Sequence, residues 1–148
     1  MANIEETHKS HEMGLHSEQL AGRTQQTFFL PEEEENFIYP GSFEVDFDVR
    51  EEIDSQDMEI TDINLKIREL MKNGVGHIVV KNPNAKHSLG VGILNRLRLD
   101  FEGSLGYFGC GLIDGPNINI SGRVGWSCAE NMMSGRVIVE KNAGSTFG

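Results

Sequence analysis

The sequence predicts an all-β solenoid, preceded by one capping α-helix and an acidic N-terminal segment. Three observations predict it. The last part of the 148-residue chain aligns with itself, without gaps, at a period of 19 residues. Each row holds a short stretch of alternating apolar and polar residues and then a Gly-x-x-Gly corner. One amphipathic stretch with helical spacing, residues 61–74, stands just before the repeat.

Residues 1–57 form the first segment. They carry most of the acid, including "PEEEENF", and only Gly14, Gly22 and Gly41. This composition reads as extended or loosely structured, with "FEVDFDV" (43–49) alternating like an exposed strand. His8, His11 and His16 invite a metal reading. No Cys or further His completes a site at ligand spacing, so a polar terminus is the expectation.

Residues 58–148 form the second segment. In "TDINLKIRELMKNG", Thr61 or Asp62 suits the N-cap and Gly74 suits a left-handed stop. Ile63, Ile67, Leu70 and Met71 share one face, which requires an apolar surface to cover. The first coil of the repeat supplies it.

The rows then follow, "EGSLGYFGCGLIDGPNINI" from Glu102, "SGRVGWSCAENMMSGRVIV" from Ser121 and "EKNAGSTFG" from Glu140. Leu99, Ile118 and Val137 fall in one column, and Phe101, Ile120 and Val139 in the next. One period earlier, Ile78 and Val80 precede Leu97 and Leu99 in a degenerate first turn. Nineteen residues is too short for a helix pair. The Leu-x-x-Leu-x-Leu-x-x-Asn pattern of leucine-rich repeats is missing. Stacked coils about 4.8 Å apart, with like residues in inward ladders, fit the pattern. Glycines mark the corners where stacked backbones approach closely.

Charge narrows the function. A net charge of −10 disfavours nucleic acid and anionic membrane as partners. No apolar run approaches the roughly 18 residues of a membrane span. The start is neither a secretory signal nor an Arg-rich transit peptide. With only Cys110 and Cys128, the expected compartment is reducing cytoplasm.

Catalytic chemistry has no visible foothold. There is no Ser-His-Asp order, His-Glu-x-x-His, CxxC pair or Gly-Lys-Ser/Thr loop, so no catalytic or metal residue is assigned. Cys128 has only the anionic Glu130 nearby, which disfavours a thiolate, and reads as a packing residue. Trp126 shares a column with Tyr107 and reads as an aromatic stack of coil on coil. Glu130 and Asn131 do not recur in the preceding row. With Trp126 they are the candidate contacts for a partner.

The stretch "GSLGYFGCGL…INISGRVGWSCAENMMSGRVIVEKNAGSTFG" resembles the glycine-patterned (GXGXG) β-helix domain that ends the large subunit of glutamate synthase. It is most similar to the stand-alone version in N-methylglutamate synthase and related glutamate synthase-like complexes. "VGWSCAENMMSGRVIV" carries most of the likeness, which covers residues 58–148. The resemblance implies a right-handed parallel β-helix without an active site of its own. It implies two partners, a class II glutaminase and a synthase holding FMN and an iron–sulfur cluster. No cofactor is implied for this chain. The carried-over residues are the structural glycines Gly103, Gly106, Gly122, Gly125, Gly135 and Gly144. The family's solenoid usually runs for more coils, so a shortened form is expected. The bare glycine pattern is shared with the β-helical component of formylmethanofuran dehydrogenase, and a similar scaffold there is the alternative. A stand-alone solenoid interaction protein is a further one. An open solenoid end also predicts association, with a second copy or with a partner.

Overall fold

The computed structural model describes residues 43–148, which belong to a compact unit beginning at Pro40. His8, His11, His16 and the "PEEEENF" run lie outside the described residues. The elements are β1 (Asp46–Asp54), α1 (Ile60–Lys72), β2 (Val75–Lys81), β3 (Arg98–Glu102), β4 (Asp114–Ile120) and β5 (Ser134–Val139). All five strands form one parallel sheet in the order β1-β2-β3-β4-β5. Spatial order equals chain order, so each strand lies one coil beyond the last. The fold is a β-solenoid of about three turns with one helix.

Alternation decides which side chains face inward. Ile78, Leu99, Ile118 and Val137 are in register across four strands, as are Val80, Phe101, Ile120 and Val139. The first three of each ladder are buried, while Val137 and Val139 at the far end are half-buried. A second, shorter column runs Leu105, Val124, Ala143 through isolated bridges on another side of the coil.

The period of 19 holds from β3 to β4 and from β4 to β5, but not from β2 to β3. There Ile78 pairs with Leu99 and Val80 with Phe101, a step of 21. The expected match of Ile78 with Leu97 is therefore corrected. Two additional residues sit in the corner after β2, where Asn82, Asn84 and Ala85 all adopt positive φ. Leu97 is buried just before β3 instead.

The boundary at residue 57 is corrected too. Residues 46–54, assigned to the loosely structured segment, pair with β2 and cover the first edge of the sheet. Only Ile53 of this strand is buried, which is why its sequence looks solvated. Polar anchors hold the segment down. The Ser55 hydroxyl donates to the carbonyls of Lys81 (2.8 Å) and Asn82 (3.0 Å). The Asn95 side-chain amide accepts from Phe43 N–H and donates to Phe43 C=O. Both anchors are buried, and satisfying both ends of such groups is what allows them there.

Helix α1 connects β1 to β2 and closes the faces that the sheet does not. Ile63, Ile67 and Met71 are its buried residues; Leu70, expected over the first coil, packs only partly. It starts earlier than expected, with Glu59 at the N-cap and no side-chain cap, rather than at Thr61 or Asp62. Gly74 follows it at φ +90, the left-handed stop. One side chain fixes the helix to the coil beneath. Asn64 donates to Ser88 C=O (2.8 Å) and accepts from Gly90 N–H (2.9 Å). Asn64→Ala removes both bonds, with an expected loss of about 1–2 kcal/mol in denaturant melts. A change under about 0.3 kcal/mol would mean that the helix is held by its apolar face alone.

Candidate interaction surface

The corner glycines are placed by contact between backbones. Gly106, Gly125 and Gly144 stack in one column, and a Cβ on either of the last two would lie 2.8–2.9 Å from the backbone of the glycine beneath. Gly103 and Gly122 stack likewise, with a Cβ on Gly122 falling onto the Gly103–Ser104 peptide. Gly135 opens β5 at φ +108, against the Pro116 carbonyl. These residues hold the coil spacing and touch nothing outside.

What faces outward beside them is aromatic. Tyr107 and Trp126 stack with ring centroids 5.3 Å apart and planes 19° apart, as their shared column predicts. His87 extends the stack, 4.6 Å from Tyr107 at 11°. Sequence reasoning misses His87 because it stands 20 residues before Tyr107, one out of period. Its Nδ1 accepts from Tyr107 N–H (2.8 Å), so the ring proton of the neutral side chain is on Nε2. Tyr107 and Trp126 remain 51% and 61% exposed, so the three rings form an exposed ladder rather than a core stack.

Glu130 and Asn131 lie further along the same coil. The Glu130 carbonyl accepts from Leu112 N–H, and Asn131 adopts φ 58 at an exposed corner. Asn131 lines an open groove of about 740 Å3 with Arg68, Leu94, Leu112, Met132 and Met133. Trp126 is not among the groove's lining residues, so the three candidate contacts do not form one site. Met132 packs against the core and Met133 is 70% exposed.

The cysteines are interior. Both are buried, and neither is in a disulfide. The Cys110 thiol hydrogen-bonds to Cys128, which together with burial pushes it well above the ordinary range. Cys128 is pulled down by accepting that bond and by the Ala129 amide, opposed by burial. The Glu130 effect expected from sequence is replaced by this pairing of the thiols. With neither sulfur at the surface, both should resist a bulky disulfide reagent at neutral pH until the protein unfolds. Labelling of Cys128 within seconds would show a reachable thiolate and reopen a nucleophilic role.

The outer face of the sheet is charged in rows. Arg50 pairs with Glu52 (2.6 Å), two residues on, and Arg98 with Asp100 (2.9 Å), again two on. Lys81 joins Glu52 and His77 joins Asp100 (2.8 Å) across strands. Hydrogen bonds from Lys81 and Arg50 hold the Glu52 carboxyl below its usual range, and Glu52 raises Lys81 in turn. Among the described residues, no group of three or more His, Cys, Asp or Glu could hold a metal ion. No described helix is long and apolar enough to cross a membrane.

Fold and surface thus define a β-solenoid that presents ladders and a groove to its surroundings, with no convergence of polar groups around a reacting atom among the described residues. Over 60 residues, the chain is 42% identical to Protein GlxC of Rhizobium meliloti (strain 1021). The match takes in 40% of this chain and 26% of that protein, so the chain spans about a quarter of the relative it matches. No family model matches the chain. No solved structure matches it either.

Proposed function

We propose that this chain is a non-catalytic assembly component of a glutamate synthase-like complex, set beside a glutaminase and a flavin synthase in the cytoplasm. The observation that carries the reading is the corner "VGWSCAENMMSG". Its glycine and Cys128 belong to the coil's interior, while Trp126 and Asn131 face the surroundings. A solenoid of this kind fixes the distance and angle between neighbours through its rigid ladders. The similarity to Protein GlxC and the resemblance to glycine-patterned β-helices support the family link. FMN and an iron–sulfur cluster belong to the synthase partner in this reading.

Two results test it. The purified chain is expected to show no flavin or iron–sulfur absorbance and no turnover of glutamine or glutamate. Mixed with the glutaminase and synthase proteins encoded beside it, it should enter their complex. Trp126→Ala should weaken that entry by tenfold or more, because an exposed aromatic is the kind of residue that anchors an interface. A stoichiometric chromophore in the isolated chain, or a complex that assembles without it and ignores it, would overturn the reading.

A further inference from the structure

Strand β5 breaks the pattern of its neighbours in three ways at once. Its far edge pairs with no strand among the described residues. Glu140 N–H donates back to Ile120 C=O, so by alternation the N–H and C=O of Val137 and Val139 point out of that edge. Its outer face breaks the in-row charge rule. Arg136 stands in register with Asn117 and Arg98, yet the position two residues on, where Arg98 has Asp100, is Ile138. Arg136 has no carboxylate partner among the described residues, and Ile138 is exposed. On the inner face, Val137 and Val139 are left half-buried at the end of both ladders.

We propose that β5 pairs with β5 of a second copy of this chain, antiparallel, with the two-fold axis at Ile138. In that register Val137 lies opposite Val139 of the second copy, both on the inner face, and each has its backbone groups aimed at the other. The four resulting hydrogen bonds are those of two narrow antiparallel pairs. Ile138 lies opposite itself on the outer face. Arg136 lies opposite Glu140 of the second copy, twice per dimer, so the missing carboxylate arrives across the interface. Glu140 is available for this, since one of its oxygens accepts from Asn119 (2.7 Å) and the other is uncommitted. Moving the axis to Val137 sets Arg136 against Ile138, and moving it to Val139 sets Ile138 against Glu140. Only the Ile138 axis satisfies apolar, backbone and charge matching together. A two-fold interface also closes, whereas stacking β5 on β1 of another copy would grow without limit. The proposal stands independently of the assembly reading above.

Sedimentation equilibrium of the full chain tests it. The expected mass is twice the 16.5 kDa of one chain. Arg136→Glu alone and Glu140→Arg alone each set two like-charge pairs in the interface and should weaken dimerisation by about tenfold. The double swap should restore it. Ile138→Cys should cross-link to a dimer on mild oxidation, because opposed residues of a wide pair approach closely. Arg136→Cys should not. All these positions lie on the outward side of the strand, so melting curves should match the parent's. A monomeric parent, growth beyond the dimer, charge reversals without effect, or self-cross-linking at residue 136 in place of 138 would overturn the proposal.

Discussion

Ile120→Asp is expected to abolish the cooperative melt or lower its midpoint by more than about 15 °C. Ile120 is fully buried, with Phe101 in register before it and Val139 after it. The substitution forfeits about 1.5–3 kcal/mol of apolar burial. It also puts a carboxylate where no partner waits, at a further cost of several kcal/mol unless the group takes up a proton. For a unit of this size, each kcal/mol moves the midpoint by roughly 4–8 °C. Asn117→Asp is the control. It introduces the same charge on the same strand, but outward, in register with Arg98 and Arg136. It should change stability by less than about 0.5 kcal/mol. If Ile120→Asp melts within about two degrees of the parent, the inward ladder is wrong.

Gly122→Val is the second large effect, with an expected loss of about 3 kcal/mol or more. A Cβ at residue 122 would overlap the peptide linking Gly103 to Ser104 one coil below. That neighbour is backbone held by its own ladder, since Gly122 N–H donates to Gly103 C=O (3.0 Å), so it cannot swing aside as a side chain would. The coil must open or the corner must distort. Thermal or urea melts check this, and a variant as stable as the parent would show that coil spacing is not set at this corner.

How much of this is legible in the sequence varies along the chain for physical reasons. The ladders from Leu99 to Val139 are legible because one stacked column demands one residue class, and the coil length stays constant over those turns. The first coil is misphased because its corner at 82–85 holds two more residues. The left-handed Asn82 and Asn84 are the available signal, since Asn tolerates positive φ. Strand β1 escapes because α1 separates it from the periodic rows and only Ile53 faces inward. Its place depends on Ser55 and Asn95, long-range polar anchors that no local pattern reveals. The choice of Met71 over Leu70 follows from the direction in which the helix lies on the coil, which periodicity leaves open. At the surface, Trp126 over Tyr107 follows from the column, but His87 requires the offset of the first coil. The divergence of Trp126 from Asn131 requires the shape of the corner.

The claim that this solenoid serves in assembly is tested most directly by purifying the native chain gently, with its partners untagged, and reading the visible spectrum of the fraction that carries it. The account predicts flavin and iron–sulfur absorbance co-eluting with the chain, glutaminase activity in the same peak, and loss of both when the chain is separated from its partners. A colourless fraction without glutaminase activity, under conditions where the synthase elutes intact elsewhere, would contradict it.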